Sequence, residues 1–239
     1  MNFQETIRQA EFLKRYKRFF ADVRLNGEVM VAHVPNTGSL KSCLFDGAPC
    51  VVTESNNPER KLKATLQFIQ TPTSWVGVNT NLPNALAQEA WEAGRIADWL
   101  EFKYFQREYK ISKESRIDIV MAPSEEHFKK RKNLHFVEIK NVTYAEGQTA
   151  LFPDAVTTRG QKHLKDLISL RAEGFGAELL FVVQRQDCHK FAPADVIDPE
   201  YGRLLREART AGIRIRALAC EIDPKAGISL SEQALALSF

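Results

Sequence analysis

Asp118, Glu138 and Lys140 are the residues whose types and spacing could do chemistry together. In an extended strand successive side chains alternate, so Glu138 and Lys140 share one face while Val137 and Ile139 occupy the other. Asp118 has a similar setting in an earlier apolar run, between Ile117 and Ile119. If these strands pair, two carboxylates and an ammonium converge on one side of a sheet. Two carboxylates at close range repel, and one takes up a proton unless a cation sits between them. A hard divalent ion such as Mg²⁺, which prefers oxygen ligands and keeps several waters, would relieve that repulsion. Phosphodiester cleavage uses such an ion to position water and neutralise charge on the phosphate. A neighbouring lysine can polarise the water or stabilise the crowded phosphorus centre.

The acid-x-Lys spacing alone discriminates little, because it also occurs at Glu59/Lys61, Glu101/Lys103, Glu108/Lys110 and Asp223/Lys225. Context singles out Glu138, which lies in an apolar strand with an aspartate in the strand before it. The competing reading is a salt-bridged pair at the solvated end of a sheet. Glu89, on the helix preceding the sheet, is a candidate third carboxylate, although an exposed helical glutamate is the commoner case. Gln161, Lys162 and His163 open a later helix, where backbone N–H groups and Lys162 could hold a phosphate; an ordinary polar helix start reads equally well. His33, His127, His135 and His189 are scattered without ligand spacing. There is no nucleophile elbow around a serine, and the absence of a Gly-rich phosphate loop argues against an NTPase or dinucleotide enzyme.

The elements that must position these residues fall into two parts. The first 82 residues read as five short strands. Asn26-Gly27 is a two-residue hairpin turn, Pro35-Asn-Thr-Gly-Ser39 is turn chemistry throughout, and Trp75 opens the last strand. Five strands in this span suit a small OB-type barrel, which removes sheet edges. From residue 83 to 239 the texture is α/β. Pro83 begins a helix that Gly94 ends or bends. Strands follow around Tyr104–Ile111 and Arg116–Met121, joined by 112–115, and a third spans Leu134–Lys140. Thr157 or Thr158 caps a helix reaching about Ala172. Glu178–Gln184 is apolar enough for a central strand covered on both faces. A helix from Asp198 to near Gly212 and a strand from Ile213 to Cys220 complete a mixed central sheet, so the chain is α/β (α+β overall).

Composition narrows the class. With 44% hydrophobic and 26% charged residues, a buried core is available. No apolar run approaches the ~20 residues of a bilayer span, so no membrane association is expected. The charged N-terminus lacks a signal-peptide core, which points to the cytoplasm. Cys43, Cys50, Cys188 and Cys220 form no C-x-x-C pair and read as reduced apolar fillers; a bridge between Cys43 and Cys50 across a hairpin would be unusual there. The net charge of +3 lies before Pro83, where ten Lys/Arg face seven Asp/Glu, against 23 of each afterwards. Lys14, Arg15, Lys17 and Arg18 around Tyr16 form one basic cluster, and Arg60, Lys61 and Lys63 another. Both suit phosphate contacts. Lys129–Lys132 falls at a hairpin tip and reads as solubilising.

Several phrases in order, Phe12-Leu-Lys-Arg-Tyr-Lys-Arg-Phe, Pro35-Asn-Thr-Gly-Ser, Trp75-Val-Gly-Val-Asn-Thr, Leu82-Pro-Asn, Ser115-Arg-Ile-Asp, Val137-Glu-Ile-Lys-Asn-Val-Thr and Phe152-Pro-Asp-Ala-Val-Thr-Thr-Arg-Gly-Gln-Lys-His-Leu, resemble the sugar fermentation stimulation protein A (SfsA) family from about Phe12 to Cys220. The resemblance implies an N-terminal OB-type barrel and a nuclease-like domain of the PD-(D/E)-x-K class. It also implies DNA binding, ahead of RNA, a link to regulation of sugar-utilisation genes, and a nuclease activity that has been proposed. By motif, Asp118 and Glu138-x-Lys140 fall on the class's active-site positions, and Glu89 falls more loosely on its helix-borne acid. The class's Pro-Asp is absent, because Arg116-Ile117 precedes Asp118. The expected metal ligands for Mg²⁺ or Mn²⁺ are thus Asp118, Glu138, the Ile139 carbonyl and Glu89, with Lys140 activating water. The barrel would hold the strand through its basic residues. The rival expectation is a non-catalytic DNA-binding regulator on the same scaffold. A small-molecule enzyme built around residues 35–39 has no cofactor motif behind it. The sequence leaves the oligomeric state open, a homodimer included.

Overall fold

Asn26 and Gly27 turn the chain in the left-handed region, with φ of 52° and 86°, and fold Glu28–His33 back on Phe20–Leu25. This hairpin belongs to a barrel-like sheet in the protein, for which a computed structural model describes residues 1–113 and 115–239. The sheet's strands are Thr6–Tyr16 (β1), Phe20–Leu25 (β2), Glu28–His33 (β3), Pro49–Glu54 (β4), Ala64–Gln70 (β5) and Trp75–Gly77 (β6). Their order is β3-β2-β1-β4-β5-β6, and β3 also pairs with β5, which curls the sheet closed as in an OB barrel. Phe12, Val23, Leu66, Ile69 and Val76 fill its interior. The sequence pattern predicts five strands, and the structure has six. The additional one is β1, where Phe12 is the single buried residue of eleven. Hydrogen-bonded neighbours on both sides hold β1 in place of an apolar face.

The second part runs Pro83–Glu92 (α1), Tyr104–Lys110 (β7), Arg116–Ala122 (β8), Glu125–Lys129 (α2), His135–Val142 (β9), Ala145–Glu146 (β10), Thr149–Phe152 (β11), Thr158–Ala172 (α3), Gly176–Val183 (β12), Lys190–Pro193 (β13), Pro199–Thr210 (α4), Arg214–Asp223 (β14), Gly227–Ala234 (β15) and Ala236–Leu237 (β16), with a 3-10 turn at Ala97–Trp99 after α1. Glu114, inside the predicted 112–115 connection, lies outside the described residues. The main sheet has the order β15-β14-β12-β9-β8-β7. β12 runs parallel to β9 and β14, and the outer pairings are antiparallel. This is the mixed sheet the sequence implies. Leu179, Phe181 and Val183 of β12 pack with α3 and α4, while Leu180 and Val182 pack with α1 on the opposite face. Val51 and Phe68 of the barrel join that second core.

Two features escape the sequence pattern. β15 returns along β14, and the small sheet β10-β11-β13-β16 is built from pieces of two to four residues, too short to show a period. The Lys129–Lys132 run closes a short helix between β8 and β9, where Lys129 and Lys130 pair with Glu125 and Glu126 one turn earlier. All four cysteines are free and buried. Among the described residues no helix is long and apolar enough to cross a membrane.

Barrel and α/β part are joined by a chain of buried amides. Gln67 Nε2 donates to Thr53 Oγ1 and Asn79 Nδ2 donates to Gln67 Oε1, each at 2.9 Å. Gln184 Nε2 donates to the Asn79 carbonyl at 3.0 Å and also to Asn141 Oδ1 on β9. The Gly77 N–H donates to the Gln184 carbonyl at 2.8 Å. A Cβ at Gly77 would run into the Gln184 side chain, so glycine is what permits this approach.

Beside Val137 of β9, Glu178 is fully buried on β12. It accepts from Trp99 Nε1 at 3.1 Å and Arg216 Nε at 3.0 Å, with His135 Nε2 at 3.1 Å. Burial alone would raise its pKa, but the His135 hydrogen bond and the Arg216 charge outweigh that and hold it below the usual glutamate range. A depressed carboxylate stabilises the fold above its unfolded pKa of about 4.3 and loses that contribution as pH falls through the lower folded value. Glu178→Gln should therefore cost about 3–5 kcal/mol at neutral pH, as expected when one partner of a buried pair is removed. In thermal denaturation across pH, its deficit against wild type should shrink below about pH 4. A deficit independent of pH would mean that Glu178 is not ionised in the folded state.

Candidate active site

The ladder between β8 and β9 runs through Met121↔His135, Val120↔Phe136 and Ile119↔Val137. Beyond it the Asp118 side chain takes over: its Oδ2 accepts the Ile139 N–H at 2.7 Å. Asn84, in the first turn of α1, donates to Oδ1 at 3.0 Å. On the neighbouring strand Glu138 is only 2% exposed. Lys140 Nζ donates to its Oε1 at 2.6 Å, and His163 Nδ1 of α3 bonds the same oxygen. Arg159 Nε donates to His163 Nε2 at 3.5 Å. Lys140 Nζ also lies 3.2 Å from His163 Nδ1. Thr157 caps α3 by accepting from the Gly160 N–H at 3.0 Å and so fixes the turn carrying Arg159 and His163. Glu138 Oε2 is buried with no hydrogen-bond partner among the described residues.

The two acids are pushed in opposite directions. For Asp118, burial and then the Glu138 charge raise the pKa, and the bonds from Ile139 and Asn84 only partly offset them. For Glu138, burial also acts upward, but Lys140 and His163 prevail and the net direction is down. Glu138 is the ionised partner, and Asp118 is the one disposed to hold a proton. Among the described residues no three His, Cys, Asp or Glu side chains cluster as a ready-made metal cage. A cation here would draw on the two acids, backbone oxygen and water.

Asp118, Glu138, Ile139 and Lys140 all line one cleft of about 910 Å³ between the barrel and the α/β part, with Thr37 and Thr80 on the opposite wall. The Glu138–Lys140 pair is ion-paired as the competing reading has it, but it is buried, not solvated. Glu89 does not line the cleft. It binds the N-terminal amine of Met1 at 2.7 Å and lies 3.6 Å from Arg95. Five residues along a helix is a rotation of about 140°, so when Asn84 faces Asp118, Glu89 faces elsewhere. Asn84 takes the place expected of that acid. Gln161 is a cap partner, donating to Asp198 Oδ1 at 2.9 Å, whereas Lys162 lines the cleft and lies 3.3 Å from Asp166. Sequence reasoning noticed His163 without tying it to Glu138. Its position one turn after Arg159 in a capped helix is a signal only once α3 is known to lie over β9.

Two family profiles match this chain: "SfsA N-terminal OB domain" over residues 13–78 and "Sugar fermentation stimulation protein RE domain" over residues 81–226. A sugar fermentation stimulation protein homolog of Bdellovibrio bacteriovorus is 49% identical over 249 aligned residues, covering 100% of both chains. One from Geobacter sulfurreducens is 44% identical over 89% of each chain. The solved structure of Pyrococcus furiosus SfsA in complex with Ca²⁺ is similar with a TM-score of 0.86 and 27% identity, covering 100% of both chains.

None of the barrel's predicted basic contacts lines the cleft. Lys17 and Arg18 sit in the β1–β2 turn at φ of 46° and 62°, Lys14 lies 3.4 Å from Asp22, and Lys61 is exposed. Arg60 donates to Thr65 Oγ1 at 2.6 Å. Arg15 is structural. It donates to the carbonyls of Arg18 (2.7 Å), Asn36 (2.7 Å), Gly38 (2.9 Å) and Ser39 (3.2 Å). This clamps the 36–39 loop, whose Ser39 N–H and Oγ donate to Asp154 Oδ2 at 2.7 and 2.9 Å across the junction. Arg15→Ala should lower stability by about 1–3 kcal/mol, read by chemical denaturation, while Lys14→Ala stays within about 0.5 kcal/mol of wild type. Equal stability of the two variants would remove Arg15 from the junction's support.

Proposed function

The chain belongs to the sugar fermentation stimulation protein (SfsA) family, and on that premise we propose that it is a divalent-metal-dependent phosphodiesterase acting on nucleic acid, DNA ahead of RNA. The observation that carries this reading is the buried, unpartnered Oε2 of Glu138 beside an aspartate that burial and the Glu138 charge push toward protonation. Asp118, Glu138 and the Ile139 carbonyl would hold Mg²⁺ or Mn²⁺, which when bound supplies charge neutralisation and an acidified water. An all-oxygen donor set with few protein ligands suits an ion that keeps its waters. The presence of Ca²⁺ in the Pyrococcus furiosus SfsA structure supports a hard divalent ion in this family.

The surrounding side chains have separable tasks. Asn84 and the Ile139 N–H orient Asp118. His163, bonded through Nδ1, keeps Glu138 Oε1 engaged and leaves Oε2 as the available donor. Lys140, only 11% exposed, holds its ammonium at the cleft floor, where it can stabilise negative charge developing on a phosphate. One observation favours a second reading, a polynucleotide-binding regulator without catalysis: Lys140 and His163 already compensate the Glu138 charge, so the cleft does not need an ion in order to stand.

Incubation of the purified protein with single- and double-stranded DNA in Mn²⁺ should yield cleavage. Lys140→Ala should reduce it by roughly 10²-fold or more, the loss typical of removing a transition-state charge stabiliser, with binding retained. Wild type as inert as Lys140→Ala on every substrate would overturn the catalytic reading in favour of the regulator.

A further inference from the structure

Several surface arginines face carboxylates: Arg8 meets Glu54 at 2.8 Å, Arg24 meets Glu11 at 2.6 Å and Arg206 meets Asp195 at 2.7 Å. Three arginines around the cleft do not. Arg107, Arg116 and Arg159 are exposed, line the cleft, and have no carboxylate partner among the described residues. Arg107 stands on β7 opposite Ile119, and Arg116 begins β8 two residues before Asp118. Arg159 lies in the first turn of α3, on the side of Lys140 and His163. The three guanidinium groups therefore flank the acid pair from three separate elements. Unneutralised charge around a concave, low-dielectric wall focuses positive potential, and the guanidinium fork matches phosphate oxygens two at a time.

Two further observations specify the ligand. Among the described residues no Phe, Tyr or Trp lines the cleft, and its one imidazole, His163, is engaged by Glu138, so the cleft lacks the stacking platform on which sequence-tolerant single-strand binders hold bases. Its 910 Å³ lies at the top of the range of small-molecule pockets, about 300–1,000 Å³. That is room for a few nucleotides of one strand and too little for a turn of duplex. We propose that Arg107, Arg116 and Arg159 form a phosphate-binding rim that draws a single-stranded or locally unpaired polynucleotide segment into the cleft by its backbone, without regard to base sequence. This rests on the nucleic-acid reading above and relocates the grip from the barrel's basic turn to the α/β part.

The test is fluorescence anisotropy of a labelled mixed-sequence oligonucleotide, single-stranded and as the blunt duplex, in EDTA over a series of salt concentrations. Wild type should bind the single strand more tightly. Each of Arg107→Ala, Arg116→Ala and Arg159→Ala should reduce the steepness of log K against log salt by about 0.7, the contribution of one phosphate contact on a single strand. Lys17→Ala/Arg18→Ala should leave that slope unchanged, with circular dichroism confirming that all variants fold. An unchanged slope in the triple arginine variant, a loss that follows Lys17 and Arg18, or tighter duplex binding overturns the rim. Absence of any polynucleotide binding by wild type overturns it together with the nucleic-acid reading. If the arginine variants lose binding while wild type fails to cut in Mn²⁺, the enzymatic reading falls and the rim stands.

Discussion

The structure turns on a buried negative charge. Glu138 sits in the middle of a sheet covered on both faces, where an ionised carboxylate is costly unless neighbours compensate it. Lys140 on its own strand and His163 on α3 supply that compensation, while Asp118 on the adjacent strand adds a second acid that the Glu138 charge repels. The compensation is incomplete, because one oxygen of Glu138 has no partner among the described residues. A helix on each face contributes: α3 brings His163 to Glu138, and α1 brings Asn84 to Asp118.

Glu178 shows what a completed solution looks like in the same sheet. It is as deeply buried as Glu138 and its pKa is likewise held down. Yet Trp99, Arg216 and His135 occupy both of its oxygens. Glu178 stands beside Val137, one register position from Glu138, and does not line the cleft, whereas Glu138 lines it with one oxygen unpartnered among the described residues.

The cleft is a joint product of both halves of the chain. The barrel supplies a wall through Thr37 and Thr80. The amide chain from Thr53 through Gln67, Asn79 and Gln184 to Asn141 ties that wall to the strand carrying Glu138 and Lys140. Arg15 and Asp154 hold the 36–39 loop from either side. These bonds fix the two halves against each other, although Gln184 Oε1 itself has no partner among the described residues. A barrel hinged loosely to the sheet could not keep the cleft's width.

Local periodicity in the sequence determined a good deal. The two-residue alternation of β9 put Glu138 and Lys140 within reach of each other, Asn26-Gly27 set the hairpin, and the apolar run of β12 marked the sheet's centre. The resemblance to SfsA proteins named the two-part architecture on motifs readable in the chain itself. The partners of each side chain were decided only by the tertiary structure. Asn84 and not Glu89 meets Asp118 because the rotation of a helix about its axis is set by packing. Arg15 is spent on backbone carbonyls, while Arg107, Arg116 and Arg159 stand around the cleft without carboxylate partners among the described residues. β1 exists through hydrogen bonds to strands on either side, not through an apolar face of its own. Strand alternation is a property of neighbouring residues, whereas pairing and neutralisation join residues far apart along the chain, and only the folded chain determines which of them meet.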